Sequence, residues 1–448
     1  MPTRERRRLL TSLLLLAIVL LLAACQPPAE PTPTPRPPTR TPTPTATRTV
    51  TPTLRPTATV TPTFPPELAM PTRMPTAIGP WMAMLPLDWA APGVIGGLYV
   101  EDDETVWLTV PRGAARLYVP GEAFTQTKFD APVTYLGLDA DMRLWFIRYG
   151  GDVVSAWDGM ETVDYDFGDG WILPASPVPG PMEESFLTSP AGLLWISTAE
   201  DVRHFDGRRW QVHTATELGL PLAWQAGVDC SFVVGLAGET PWAGTCHWRD
   251  GVPAGGGGLK RLVNGRWEDA GLPLKDACIT AIAGMETGAG RQVVWVGADG
   301  QLWRYDSDEQ PSEWSLVDDL PLLEEGQRPG FVIEIALAPD GAAWPLFSLC
   351  DQVDCRAASQ RFRVTGGSSQ LVYRQGRLGL HRLVFGPGGT GWIASEEGLF
   401  RLTPRETGEI TREQLSDLET NHLAAGPQGD LWMITDFRVN PLLWLLKK

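Results

Sequence analysis

The sequence predicts an all-β protein, a single β-propeller of eight blades preceded by a disordered Pro/Thr-rich linker. Three observations carry this. Trp107, Trp145, Trp195, Trp242, Trp295, Trp344, Trp392 and Trp432 are separated by 38, 50, 47, 53, 49, 48 and 40 residues. Repeats of roughly 40 to 50 residues with several strands each are the signature of propeller blades. An apolar residue stands nine places before most of these tryptophans: Leu98, Leu136, Phe186, Val233, Ile335, Leu383 and Leu423, with Ile282 taking the place in the fifth unit. Gly192, Gly341, Gly389 and Gly429 stand three places before theirs, where a hairpin must turn.

The third unit shows the pattern in full. Leu193 to Thr198 is an apolar run suited to a buried strand, and Val202 to Phe205 alternates. Asp206-Gly207 favours a two-residue hairpin, and Trp210 to His213 alternates again. Asp158-Gly159 and Asn264-Gly265 repeat the hairpin signal. A meander of this kind cannot bury both faces alone and needs neighbours.

In chain order, residues 1 to 24 form a targeting segment. Arg4, Arg6, Arg7 and Arg8 make a basic start, and an apolar stretch from Leu9 to Leu22 leads to Leu22-Ala23-Ala24-Cys25. Residues 25 to 78 are rich in Pro and Thr, which fix φ, remove donors and supply too little apolar surface to fold. Such a segment is an extended tether, about 3.1 Å per residue and on the order of 150 Å in reach. Residues 79 to 448 hold the propeller.

The whole chain carries −16. Four Arg against one Glu in 1–24, and five Arg against two Glu in 25–78, leave −22 on the remainder. So acidic a domain excludes nucleic acid as a partner and suits cations, amines, neutral sugars or a basic protein.

The last unit offers only three strands, at His422 to Ala425, Leu431 to Thr435 and Leu442 to Leu446. Trp81 to Leu85 is expected to supply the missing outer strand, so that both chain ends close the ring. Eight blades is the literal count; seven results if the irregular unit 230–270 pairs differently. The best helix candidate is Thr411 to Leu418.

Gly192-Leu-Leu-Trp195-Ile-Ser-Thr198, Gly389-Thr-Gly-Trp392-Ile-Ala and Gly429-Asp-Leu-Trp432-Met-Ile-Thr435 resemble repeats of the two-component regulator propeller family. The resemblance covers most of 97–435. It implies an extracellular ligand-sensing propeller, usually part of a membrane histidine kinase; streptogramin lyases carry similar repeats. The family's core is Asp-x-x-Gly-x-x-Trp, but here Ser189, Gly386 and Gly426 stand at the Asp position. The first 25 residues resemble a bacterial lipoprotein signal. That implies cleavage before Cys25, diacylglycerol on its thiol, usually acylation (palmitate, for example) of the new amino group, and a chain outside the cytoplasm held at a membrane.

The chemistry-bearing residues are few. Ten places before the column tryptophans stand Glu334, Arg382 and His422 in consecutive units. On inner strands they are expected to line the central channel and hold a small polar ligand, or serve a lyase step. The off-register Trp171, Trp224 and Trp248 are candidates for a binding face. His381, His204, His213 and His247 show no metal spacing and read as structural or surface residues. Cys350 with Cys355, and Cys230 with Cys246, are the disulfide candidates, with Cys278 a competitor for Cys230. Asp164 to Gly170 departs from a calcium loop and reads as a surface turn; Gly255 to Gly258 reads as a flexible loop. No metal site, cofactor or catalytic motif is expected. A monomer that binds an extracellular protein, carbohydrate or small ligand fits best.

Overall fold

The structure is a computed structural model. It describes residues 81–86 and 95–447 apart from short breaks, the longest at 172–185 and 221–228. The targeting segment, Cys25, the tether at 25–78, Trp224, Cys355 and His381 lie outside the described residues.

Eight antiparallel sheets follow one another along the chain. Blades 1 to 7 comprise residues 97–128, 133–165, 186–214, 229–269, 279–316, 328–375 and 382–416. In each, the strands pair in sequence order from the innermost outward. Blade 8 takes Thr420–Ala425, Leu431–Thr435 and Leu442–Leu446. Its outermost strand is Trp81–Pro86, antiparallel to Leu442–Leu446 with Trp81 opposite Leu446. This is the mixed blade that the incomplete last unit called for. The irregular fourth unit makes its own sheet, with Val252–Pro253 as a fifth strand, so the count is eight and not seven.

The core is not one mass but a set of seams, one between each pair of neighbouring blades. Every column tryptophan lies on the second strand of its blade and packs toward the following one. Side chains alternate faces along a strand. Trp107 therefore faces blade 2 beside Leu144 and Phe146, while Val106 and Leu108 face blade 8 beside Trp432. The 8/1 seam has the same composition as the others, which closes the ring. None of the eight indoles is more than 8% exposed. Core packing, not sugar stacking, explains them.

The inner hairpins of blades 2, 3, 6, 7 and 8 share one turn. In blade 8 Gly429 N donates to Gly426 O, and Gly426 N to Asp430 O. The residue three before the tryptophan has positive φ: 83° at Gly192, 82° at Gly341, 77° at Gly389 and 101° at Gly429. Blade 2 puts Met142 there at φ 60°, a conformation that glycine adopts at little cost and other L-residues resist.

Two expectations need correction. Residues Ile410–Ser416 form the outer strand of blade 7, not a helix; Leu402 pairs with Arg412 and Thr403 with Thr411. An open sheet edge outweighs the weak helical preference of Arg412 to Gln414. Gly255 to Gly258 is not a free loop. Gly256 N donates to Asp276 O, and a Cβ on Gly256 would meet Ala277 O at 2.2 Å and Thr245 O at 2.3 Å. The glycine lets backbone wedge between blades 4 and 5.

Candidate functional site

Inner strands present one edge to the ring axis. In blades 3 to 6 those edges enclose a cavity of about 400 Å³. Leu187, Val233, Leu236, Ile282, Ile335 and Leu337 contribute to its walls, with hydroxyls from Thr188, Ser197 and Thr280. Among the described residues Glu334 is the one ionisable group in the lining. Its Oε2 lies 3.1 Å from Arg361 Nη2, and Arg361, fully buried, also donates Nη1 to Trp344 O at 3.1 Å. Glu334, Leu346 and Arg361 stand in register across three strands. The guanidinium thus anchors the carboxylate from behind, while a side chain 26% exposed remains available to the cavity. Such a site offers a wall of mixed polarity and an anionic acceptor.

Of the three expected channel residues, only Glu334 lines this cavity. Arg382 is half-buried on the inner strand of blade 7. His422 is 8% exposed, with Nε2 3.1 Å from Ile95 O at the 8/1 seam. Register is not the reason, since Glu334, Arg382 and His422 each pair with the residue two places after their tryptophan: Leu346, Ala394 and Ile434. What differs is the neighbour each side chain meets: Arg361 for Glu334 and the Ile95 carbonyl for His422. Only in blade 2 does a shift, between Tyr135 and Gly137, fall between the column residue and its tryptophan. The same offset in blade 2 gives Tyr135, whose hydroxyl donates to Val110 O at 2.8 Å and contacts Gly113 O; burial drives its pKa upward.

A second constellation lies in blade 3, at the seam with blade 4. Trp195 pairs across the strands with His204. His204 Nδ1 and His213 Nε2 are 2.9 Å apart. Their ring centroids are 5.1 Å apart and the planes differ by 11°, so the imidazoles lie edge to edge in nearly one plane. Both rest on the indole of Trp195, at 4.6 and 5.8 Å between centroids and within 22° of parallel. Trp267 of blade 4 meets His213 edge-on at 5.5 Å. Burial, and then His213, lower the pKa of His204 to about 4. Burial also lowers that of His213, against the fields of Glu217 and Asp201. Both rings are therefore neutral near pH 7 and share one N–H between the facing nitrogens. A two-residue turn at Asp206-Gly207 would set Phe205 opposite Arg208; the connection is instead four residues, 206–209, which sets Phe205 opposite Trp210 and makes His204 and His213 diagonal neighbours on one sheet face.

The cysteines require a further correction. Cys246 is bonded to Cys278, and Cys230 is a free thiol. Cys230 pairs with His247 and Ser231 with Cys246, so the two expected partners occupy neighbouring pair positions and point to opposite faces. The observed bond staples blade 4 to the chain entering blade 5. Burial pushes the Cys230 thiol up to about 11. Cys350 is disulfide-bonded; its expected partner Cys355 lies outside the described residues.

Nor does Trp171 form a binding face. It is 1% exposed, donates Nε1 to Gly151 O at 2.8 Å, and carries the Arg203 guanidinium 4.6 Å from its ring. Trp248 is partly buried, donates to Ser231 Oγ at 2.8 Å, and meets Phe331 of blade 6 edge-on. Phe167–Asp169 forms one 3-10 turn in which Asp166 accepts from Gly168 N.

A scan against protein families finds no match, and a search of curated proteins finds no relative. Among solved structures the chain is similar to the Dos1 propeller, with a TM-score of 0.51 and 8% identity over 80% of this chain and 93% of that one. It is also similar to a catalytically inactive virginiamycin B lyase from Staphylococcus aureus bound to quinupristin (TM-score 0.45, 12% identity, 82% and 99% covered). A third likeness is the extracellular domain of the B. thetaiotaomicron hybrid two-component system protein BT4673 (TM-score 0.35, 16% identity, 76% and 44% covered). At these identities the likeness speaks to fold alone: the chain is a β-propeller.

Proposed function

We propose that this chain is a binding and sensing module outside the cytoplasm: an anchor at lipidated Cys25, a tether over 25–78, and a propeller over 79–448 whose axial cavity takes a small ligand. The carrying observation is the cavity of about 400 Å³, lined by aliphatic side chains, hydroxyls, backbone edges and the Glu334 carboxylate. It fits a compact amphipathic molecule with an N–H donor or ammonium group. The net charge of −22 over 79–448 favours the cationic member of that class. A lyase or hydrolase with His422 as base is not favoured, because the Nε2 of that ring faces a backbone carbonyl.

Small aliphatic amines and their neutral isosteres, screened by thermal shift and calorimetry, test this reading. Ala283→Trp fills the cavity from its wall. The expected result is saturable binding that this variant loses while still unfolding cooperatively. Binding unchanged by the bulky side chain overturns the axial site. Separately, Cys25→Ala is expected to release the protein from membranes into the soluble fraction.

A further inference from the structure

We propose that His204 and His213 form a two-coordinate site for a soft monovalent d10 cation, Cu(I) in class, bound over the face of Trp195. The proposal is independent of the axial cavity.

Two nitrogens face each other at 2.9 Å in nearly coplanar rings. A linear N–metal–N unit uses the same in-plane directions, with a cation where the shared proton now sits. With metal–imidazole bonds of about 2 Å, the nitrogens must open to roughly 4 Å. His213 lies on the outer strand of blade 3, Trp210–Thr214, and is half-buried, so it can make that shift. The charge balance is simple. The ring that donates moves its proton to its outer nitrogen, both imidazoles stay neutral, and the site gains the cation's single charge. Redox chemistry is not involved.

Donor number selects the metal. Among the described residues no group of three or more His, Cys, Asp or Glu side chains converges. Zinc, which takes four ligands in closed protein sites, is not satisfied here; a linear d10 cation needs only two donors. The indole adds a second attraction, since a cation between the rings lies over a π face. Asp206, Glu217 and Asp201 act electrostatically on these histidines and favour positive charge there. The seam also supplies Trp267, edge-on, as an apolar wall.

The test is Cu(I) competition against bicinchoninate, using the full chain with Cys25→Ala and Cys230→Ala so that no free thiol among these two competes. One equivalent of Cu(I) should be retained. His204→Gln and His213→Gln should each weaken retention at least tenfold with unchanged thermal unfolding, and Zn(II) should not be held. Equal retention by both histidine variants, or equal retention of Zn(II), overturns the site. Should either variant fail to fold, X-ray absorption on the loaded parent decides. Two nitrogen scatterers support the proposal, and sulfur in the first shell refutes it.

Discussion

Asp139 Oδ2 accepts the indole N–H of Trp145 at 2.7 Å, six residues along the chain and inside the turn that separates the first two strands of blade 2. Glu101 does the same for Trp107 at 2.9 Å in blade 1. Both acids stand six places before their column tryptophan. The indole N–H groups of Trp195, Trp242, Trp295, Trp344, Trp392 and Trp432 are buried without an acceptor; in those blades the position holds Ser189, Leu236, Ala289, Ala338, Gly386 and Gly426. The physical role of the repeat acid is thus to satisfy a donor that the seam removes from water.

Asp139→Ala should therefore be among the more damaging single changes in the ring. It strips acceptors from Asp141 N, Arg143 N, Arg143 Nε and Trp145 Nε1 together. Buried donors left unsatisfied cost about 1–3 kcal/mol each in favourable cases, and these share one acceptor group. A loss of roughly 2–3 kcal/mol in urea unfolding is expected, with Asp139→Asn milder. A loss under about 0.5 kcal/mol would show that the acid is dispensable.

Met142→Gly should stabilise. At φ 60° and 36% exposed, Met142 bears left-handed strain with little burial in return. Relief is worth about 1 kcal/mol, read as a rise in melting temperature. An unchanged or lower melting point would mean that the methionine contacts outweigh the strain.

Acid should weaken the fold through Asp306. Its carboxylate is fully buried and is held at about 2 chiefly by the hydrogen bond from Arg291, with Arg304 adding to it. The folded value is below the unfolded 3.8, so the stabilisation is complete above pH 4 and drains away as pH falls toward 2. It amounts to about 2 kcal/mol at neutral pH. Asp306→Asn should be less stable than the parent at pH 7 and match it near pH 2. Parallel pH–stability curves would contradict this.

Cysteine variants separate staple from bystander. Cys278→Ala opens the Cys246–Cys278 loop, a separation of 32 residues, and should cost about 3–4 kcal/mol on the chain-entropy estimate. Cys230→Ala should stay within about 0.5 kcal/mol. Peptide mapping without reductant should recover residues 246 and 278 cross-linked; a 230–246 peptide instead would reverse the assignment.

The ring was legible in the sequence because its signals repeat. Tryptophan on the second strand, an apolar partner on the first and glycine at the turn recur in register, and Trp81 to Leu85 could be matched to a blade lacking one strand. The site was less legible because it depends on what does not repeat. Glu334, Arg382 and His422 share one register, but Glu334 meets Arg361 and His422 meets the Ile95 carbonyl, and those neighbours do not repeat from blade to blade. Cys230 and Cys246 were separable by strand parity once their pairing was known, but that register depended on a hairpin at Gly238-Glu239 with no strong turn signal. The His204–His213 contact was missed because the expected two-residue Asp206-Gly207 turn sets the register two residues off; the four-residue loop 206–209 brings the rings together.

The outermost strand of blade 8 also sets how the ring responds to load. Trp81 lies opposite Leu446, and Pro86 opposite Leu442. A pull on the chain ahead of Trp81 against the chain after Leu446 therefore acts at the same end of the pair. It opens backbone hydrogen bonds one after another, like a zipper, instead of shearing them together. Traction between those two ends should peel this strand at low force and leave seven blades standing, whereas traction against a ligand held at the axis would load the strand along its length.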